Sequence, residues 1–225
     1  MFGIDVFWNL MYGFPQELPE EYARMAELVP ALIHLPAPRL VGLGIDRFSP
    51  YHGAPEEHGL RIVGPPSHLT LLYDVEPAAL MEMSPSFEHA YLDGRNPAAY
   101  VAPLREGIER WNREGDANRG ALEYRRGPGL LRITDRRTTV TPIQYTLNEF
   151  EAAVYLACEN GQQESSIAAT LARAGIREAS AAGIRAALAS FIEQQLIYQE
   201  GDRYLSLALP ANRAGLSAEV RSCES

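Results

Sequence analysis

Cysteine and positive charge are both scarce in this sequence, and each shortage excludes a class of protein. The 225 residues contain only two cysteines, Cys158 and Cys223, which are too few for a disulfide framework or a cysteine-based metal site. Twenty basic side chains stand against 29 acidic ones, and the net charge of −9 disfavours nucleic acid and anionic membranes as partners. Cys158 falls on the apolar face of a predicted helix, so we expect it in the core.

Targeting segments and common catalytic motifs are absent as well. No apolar run is long enough to span a bilayer, and the N-terminus lacks the basic stretch and apolar core of a signal peptide. We therefore expect a cytoplasmic protein with no membrane partner. The five histidines are scattered, with only His52 and His58 close together, and this spacing predicts no metal site. There is no glycine-rich phosphate loop and no Ser-His-Asp order, so the sequence assigns no catalytic residue.

The chain opens on a strand that is apolar on both faces. Residues 3–15 predict a buried strand that ends in a turn, and the chain starts almost directly on it. Such a strand is normally an interior strand of a parallel sheet. A helix from Pro19 and a second strand over residues 40–45 complete the crossover unit of that sheet. We therefore expect the second half of a larger α/β domain whose first half is missing.

The middle of the chain predicts loops and then a domain boundary. Residues 48–80 are rich in proline, with one short strand candidate at 69–73. Residues 97–113 show helical spacing of apolar side chains. The glycine-bounded, polar stretch 115–120 is typical of a linker, and we expect the boundary there. The predicted organisation is a first domain at 1–115, a second at 121–209 and a disordered tail at 210–225.

The second domain has the pattern of a small α+β fold. Its order is three strands, three helices and a closing hairpin that begins at Ile197. Asn148 and Glu151 have the spacing of a capping box, which predicts the start of the first helix. The predicted strands span 121–126, 130–134 and 138–147, and the second and third helices span 165–174 and 181–196.

The carboxyl ends of parallel strands are where α/β sheets usually carry their chemistry. The first strand end offers Asn9, Tyr12 and Glu17, and the second offers Asp46, Arg47 and Tyr51. We predict Asn9, Tyr12, Asp46 and Arg47 as candidate cofactor-binding residues, since Asp46 beside Arg47 suits a carboxylate or sugar hydroxyls. The alternative is that Asp46 and Arg47 form a structural ion pair at a strand terminus.

Two motifs resemble the later barrel strands of radical S-adenosylmethionine enzymes. They are Trp8-Asn-Leu-Met-Tyr-Gly-Phe-Pro15 and Gly44-Ile-Asp-Arg-Phe-Ser-Pro-Tyr51, and the similarity continues through residues 91–105. Together they look like the cobalamin-dependent branch that C-methylates ribosomally made peptides. The resemblance implies half of a TIM-type barrel with parallel strands. It also implies S-adenosylmethionine, a [4Fe–4S] cluster and cobalamin as the family's cofactors.

The sequence departs from this family in two places. The family's Gly-Glu after Phe-Pro is here Gln16-Glu17, and the Cys-x-x-x-Cys-x-x-Cys motif that ligates the cluster is missing, as is the cobalamin domain. The resemblance therefore implies the C-terminal part of an enzyme that holds none of these cofactors alone. The missing half as a separate chain, or a second copy, is then a possible partner. The alternative is a non-catalytic peptide-binding or partner protein derived from the family.

Residues 146–161, followed by Ile167, Leu171 and residues 191–197, look like a RiPP recognition element, the domain that binds the leader of a ribosomally made precursor peptide. This domain is a small winged-helix-like fold. In that fold the peptide adds as a strand to a sheet edge, beside a helix. The third helix has a single basic residue, Arg185, which disfavours a DNA-binding winged helix. The remaining alternative is a domain that only packs on the barrel. The residues predicted to bind peptide are Thr139, Thr141, Ile143, Leu188 and Ile192.

Overall fold

A computed structural model describes residues 7–137, 141–176 and 180–211, apart from the side chain of residue 116. The chain divides into two compact units. The N-terminal unit comprises Phe7–Glu27 and Pro38–Arg110, and the C-terminal unit comprises Leu28–Ala37 and the chain from Trp111 onward. Within the described residues, no helix is both long and apolar enough to cross a lipid bilayer.

The N-terminal unit begins with the predicted crossover of strand, helix and strand. Strand β1 (Asn9–Tyr12) leads into helix α1 (Pro19–Leu32), which returns the chain to strand β2 (Arg39–Gly42). The two strands pair in parallel, with Asn9 opposite Arg39. Proline at the first helical position suits α1, because its missing N–H has no partner there in any case.

A second, antiparallel sheet follows in the same unit. Its strand order is β3-β5-β4, and a small core of Ile45, Leu60 and Phe87 lies between these strands. A short 3₁₀ turn, Glu56–His58, precedes β4. The elements are β3 (Ile45–Asp46), α2 (Pro50–Gly53), β4 (Leu60–Gly64), α3 (Ser67–Leu72), α4 (Pro77–Met83), β5 (Ser86–Tyr91) and α5 (Pro97–Tyr100).

Several sequence expectations for this unit need correction. The strand predicted at 40–45 is divided between two sheets, because the chain leaves β2 at Gly42 and enters β3 at Ile45. The strand predicted at 69–73 is wrong, since helix α3 occupies that position. β1 is not an interior strand, because β2 is its one described neighbour and Met11 is 49% exposed. The fold is α/β with mixed sheets, and none of the described sheets closes into a barrel.

The C-terminal unit contains a four-stranded sheet in the order β12-β6-β7-β8. Helix α6 (Ala102–Asn118) leads into this unit and continues through most of the predicted linker. Strands β6, β7 and β8 form an antiparallel meander, and β12 adds to β6 in parallel at the opposite edge from β8. The strands are β6 (Leu122–Gly127), β7 (Leu130–Asp135), β8 (Ile143–Asn148) and β12 (Leu209–Pro210).

Three helices and a small sheet follow the meander, in the predicted order. Asn148 and Glu151 form the predicted capping box, with each side chain accepting from the other residue's N–H at 2.9 Å. The small sheet has the strand order β10-β11-β9. The elements are α7 (Glu149–Ala157), β9 (Gln162–Gln163), α8 (Glu164–Arg173), α9 (Ala181–Glu193), β10 (Ile197–Glu200) and β11 (Arg203–Ser206).

Tyr155 of α7 and Cys158, which caps the end of that helix, lie in this unit's core, and both side chains are fully buried. The Tyr155 hydroxyl donates to the Leu196 carbonyl at 3.1 Å and accepts from the Ala208 N–H at 2.9 Å. Burial raises the pKa of the Cys158 thiol to about 12. The predicted core position of Cys158 is therefore confirmed, and its thiol is protonated at neutral pH.

A buried ion pair joins three segments of the C-terminal unit. The Arg137 guanidinium binds the Asp135 carboxylate through two hydrogen bonds, of 3.0 and 2.7 Å. It also donates to the carbonyls of Ala31 and Gln195, at 2.7 and 2.9 Å. Burial alone would raise the pKa of Asp135, but the hydrogen bonds and charge of Arg137 hold it below its ordinary value. This pair explains why the end of α1 belongs to the C-terminal unit.

Candidate functional site

The turn after β1 is built around the carboxylate of Glu17. Both of its oxygens accept from the Gly13 N–H, at 2.7 and 2.9 Å, and one also accepts from the Phe14 N–H at 2.8 Å. The hydroxyls of Tyr22 and Tyr100 donate to the same carboxylate. The Glu17 carboxylate oxygens therefore accept hydrogen bonds from four donor groups of the chain. These hydrogen bonds order the turn at the carboxyl end of β1.

Gly13 fits this turn because its backbone has a φ of +90°, which L side chains rarely adopt. A Cβ atom there would lie 2.7 Å from the Tyr91 hydroxyl, which donates to the Gly13 carbonyl at 2.6 Å. Burial raises the pKa of Tyr91 to about 12. Burial and the Glu17 carboxylate raise the pKa values of Tyr22 and Tyr100 still further. The three tyrosines are therefore neutral hydrogen-bond donors at neutral pH.

A cleft of about 320 Å³ lies beside this turn. Asp93 and Arg95 form an ion pair of 2.6 Å on its wall. The Arg95 guanidinium also lies 5.9 Å from the centre of the Tyr91 ring. The cleft is therefore lined by polar groups, most of which already have a hydrogen-bond or ion-pair partner within the chain. Its lining residues are Glu17, Pro19, Asp93, Arg95, Asn96 and Tyr100.

The four residues predicted to bind a cofactor lie in different environments in the structure. Asn9 is exposed on β1, while the Tyr12 hydroxyl accepts from Arg105 at 2.8 Å next to the Glu17 turn. Asp46 is exposed at the end of β3. Tyr12 directly precedes Gly13 of the Glu17 turn, but none of the four residues lines the described cleft.

Arg47 has a structural role that neither sequence interpretation anticipated. Its guanidinium donates to the carbonyls of Met81 and Ser84, at the C-terminal end of α4, and lies 4.9 Å from the centre of the Phe87 ring. A cation suits this position, because the last carbonyls of a helix are unpaired. Among the described residues, Asp46 and Arg47 form no ion pair, so Arg47 stabilises a helix end instead.

The side chains that hold the Glu17 turn have no role that the sequence predicts. Tyr91, Arg95 and Tyr100 all lie within the stretch 91–105 that carries the family resemblance. Tyr100 donates to the Glu17 carboxylate, while Tyr91 and Arg95 donate to the Gly13 and Phe14 carbonyls of the same turn. These contacts depend on the folding of β5 and α5 back against the turn, across more than 70 residues of chain. The clearest sequence signal is the glycine at position 13, directly after a strand.

The predicted peptide-binding strand lies at the edge of the four-stranded sheet. β8 pairs with β7 on one side, and no described strand pairs with its other side. Its sequence, Ile-Gln-Tyr-Thr-Leu-Asn, contains no charged residue. Pro142 stands just before the paired segment, so it removes no donor from β8 itself. The edge therefore offers unobstructed N–H and C=O groups on alternate residues.

The five predicted peptide-binding residues have different positions around this edge. Thr139 lies outside the described residues, and Thr141 is exposed just before β8. Ile143 is 41% exposed, while Ile192 on α9 is half-buried at the margin of the core. Leu188 is 2% exposed and belongs to the core, so its side chain does not reach the surface.

The residues of this chain do not fit an iron–sulfur cluster. No group of three or more histidine, cysteine or acidic side chains within the described residues could hold a metal ion. Cys158 is enclosed in the core with a raised pKa, whereas cluster ligands are thiolates.

No protein-family model matches this sequence, and neither the curated proteins nor the solved structures yield a match.

Proposed function

We propose that this chain is the peptide-recognition part of a radical S-adenosylmethionine system that modifies ribosomally made peptides. Its C-terminal unit binds the leader of the precursor peptide, and its N-terminal unit contributes part of the barrel. The observation that carries the proposal is the open, uncharged edge of β8. Since such precursors are made on ribosomes, the proposed location is the cytoplasm.

Strand addition is the binding mode that this edge favours. An added peptide pairs with the free main-chain groups of β8, and alternate side chains then contact the two faces of the sheet. On the inner face, Ile143 and Tyr145 retain exposed apolar surface next to the core. Main-chain pairing would supply affinity, and these side chains would select apolar residues at alternate positions of the peptide.

The order of elements after β8 supports a winged-helix-like domain. Helix α7, strand β9, helices α8 and α9 and the β10–β11 hairpin follow one another, and β11 lies between β9 and β10. A DNA-binding winged-helix domain needs several basic side chains on its recognition helix. Helix α9 has only Arg185, which pairs with Glu164 at 3.1 Å. A peptide therefore suits this domain better than DNA does.

The parallel pairing of β1 and β2 around α1 supports the barrel part of the proposal. Parallel strands with a helical crossover are the repeating unit of such barrels. The cluster ligands and the remaining strands would come from a separate chain or segment. No step of the radical chemistry is assigned to the residues described here, because their donor groups do not fit the cluster.

A second candidate is a non-catalytic peptide-binding protein derived from the same family. The absence of a cluster-binding group within the described residues favours it. Anaerobic reconstitution with iron and sulfide, followed by an assay for 5′-deoxyadenosine, separates the two candidates. If a complementing chain restores product formation, the enzyme-subunit proposal is supported; if no complementing chain does so while peptide binding persists, the second candidate is supported.

Peptide binding itself is tested by titrating the full chain with the precursor peptide encoded beside its gene. We expect Ile143→Lys to weaken binding at least tenfold, because a charge then lies at the pairing edge. Leu205→Lys on β11 is the matched control, since the two side chains are 41% and 38% exposed in the parent. Equal weakening by both variants, or no binding to the parent at high micromolar concentration, contradicts the proposal.

A further inference from the structure

The outer face of the β6–β7–β8 sheet contains two arginines directly opposite each other. Arg125 on β6 pairs in register with Arg132 on β7, and Arg132 pairs in turn with Thr146 on the edge strand β8. All three side chains are exposed. Like charges at directly opposite positions of a sheet are destabilising, so this row is not explained by the stability of the fold.

The same face has more positive charge than its own acidic groups can balance. Glu123 is shared by Arg125 and Arg136, at 3.8 and 3.6 Å, and its side chain is only 15% exposed. Arg132 has no ion-pair partner among the described residues. We name Arg125, Arg132 and Arg136 the arginine face. It is locally basic in a chain whose net charge is −9.

We propose that the peptide bound at β8 carries acidic side chains on its outward face and that the arginine face selects them. This inference rests on the proposed function, because it assumes strand addition at the β8 edge. It adds the chemical class of the partner: an extended peptide with apolar residues on one face and Asp or Glu on alternate positions of the other.

The register of the sheet puts these charges within reach of each other. Neighbouring strands lie about 4.8 Å apart, so a strand added beside β8 lies about 10 Å from β7. A residue of that strand opposite Thr146 continues the row of Arg125 and Arg132. Long side chains reach past the residue directly opposite them on a sheet face. Arg132, extending over the short Thr146, can therefore meet a Glu side chain of the added strand. Thr146 in this row and Gln144 in the next row are uncharged, so β8 places no acidic competitor between the arginines and the added strand.

Nucleic acid is the other polyanion that a basic face could bind. The observations favour a peptide, because the arginines adjoin an unpaired strand edge whose main-chain groups match another strand. Phosphates would use the arginines alone and would leave that edge unpaired. The chain's overall acidity also opposes a nucleic-acid partner.

Three ten-residue probe peptides test the inference on the full chain. Each alternates Val with Thr, and two of the Thr positions are replaced by Glu, Gln or Lys. We expect the Glu probe to bind about tenfold more tightly than the Lys probe, with the Gln probe between them. The double variant Arg125→Gln/Arg132→Gln should remove most of this difference. Arg113→Gln, an exposed arginine on α6, should leave it unchanged.

The outcomes separate this inference from the proposed function. Binding of all three probes with equal affinity, still weakened by Ile143→Lys, overturns the acidic selectivity and leaves strand addition intact. Failure of every probe to bind overturns both. Binding of a single-stranded 20-nucleotide RNA is measured in parallel, to test the nucleic-acid alternative. RNA binding that depends on Arg125 and Arg132, with no discrimination among the peptides, overturns the inference in favour of nucleic acid.

Discussion

The two units of this chain differ in how completely they bury their apolar side chains. Fourteen of the seventeen exposed large hydrophobic residues within the described part of the chain belong to the N-terminal unit. They include Phe48 at 90% and Leu71 at 88% exposure. The C-terminal unit instead has a continuous core of twenty buried residues, centred on α7 and α9.

The difference indicates different kinds of stability. Burial of apolar side chains stabilises the C-terminal unit. The buried Arg137 also links separate segments of this unit by donating to the carbonyls of Ala31 and Gln195. The N-terminal unit relies on a polar cluster around Glu17 and leaves apolar surface in water. Exposed apolar side chains are candidate contacts for association, in line with the proposal that this unit contributes to a larger barrel. The chain's two tryptophans report on the units separately, since Trp8 lies in one and Trp111 in the other.

Loss of Arg137 is expected to have the largest effect. Arg137→Met leaves the buried Asp135 carboxylate without a partner and should lower the free energy of unfolding by about 3–5 kcal/mol. Urea denaturation followed by the fluorescence of Trp111, in a Trp8→Phe background, measures the C-terminal unit. Arg136→Met is the control, because this neighbour is half-exposed and should change stability by less than about 1 kcal/mol. Similar losses for both variants would contradict a special role for the buried pair.

Acidification should weaken the C-terminal unit through His34. This side chain is 4% exposed, donates from Nε2 to the Leu207 carbonyl at 2.8 Å, and has no partner at Nδ1. Burial lowers its pKa to about 4, and the nearby Arg137 charge acts in the same direction. The neutral form is therefore favoured by folding. Stability is fully present above pH 6.5 and falls between pH 6.5 and 4, by up to about 3 kcal/mol.

His34→Gln tests this dependence, because glutamine retains a donor for the Leu207 carbonyl but does not titrate. We expect the variant to lose less stability than the parent between pH 7 and pH 4. Asp135 should not obscure this comparison, because its lowered pKa places most of its own stability loss below pH 4 in both proteins. Parallel curves for parent and variant would show that His34 does not cause the acid loss.

In the N-terminal unit, Glu17→Gln should lower the free energy of unfolding by about 1–3 kcal/mol. One of the carboxylate oxygens that accept hydrogen bonds in this cluster is then replaced by an amide group that donates. The substitution should also lower the pKa values of Tyr22 and Tyr100 toward 10, since the Glu17 charge helps to keep both neutral. Raised tyrosine pKa values give stability that is present below pH 10 and lost above it. Ultraviolet titration of tyrosinate measures the shift. Asp93→Asn, on the exposed rim of the cleft, is the control.

The smallest effect is expected for the exposed apolar surface. Leu72→Ser should change the free energy of unfolding by less than about 0.5 kcal/mol, because this side chain is 71% exposed. Ile184→Ala in the C-terminal core should cost about 2–5 kcal/mol. The fluorescence of Trp8 and of Trp111 would monitor the respective transitions. A large loss for Leu72→Ser would mean that this surface is covered in solution, for example by self-association.

Local patterns predicted the C-terminal unit well, because its elements are stabilised by neighbours in sequence. The capping box of Asn148 and Glu151 and the alternation along β6 and β7 are both present. The same patterns missed β4 and β5, which stabilise each other across a long, proline-rich connection. They could not show that Arg137 would bind the Ala31 carbonyl, since that contact spans more than a hundred residues.

The candidate sites also were predictable where they depend on local sequence and not where they depend on contacts between distant residues. The exposed edge strand β8 was visible in the composition of residues 138–147, although its paired part is shorter than predicted. The role of Glu17 was not visible, because its donors come from three separate segments of chain. Arg47 was grouped with its sequence neighbour Asp46, whereas the fold directs it to the end of α4.

Amide hydrogen exchange of the full chain, with and without saturating precursor peptide, tests the central claim most directly. Strand addition predicts that the outward-facing amides of β8, within residues 143–148, exchange more slowly when the peptide is bound. The β10–β11 hairpin should be unchanged, because its strands belong to a different sheet. Peptide binding without protection of β8, or with protection confined to other elements, would contradict the account.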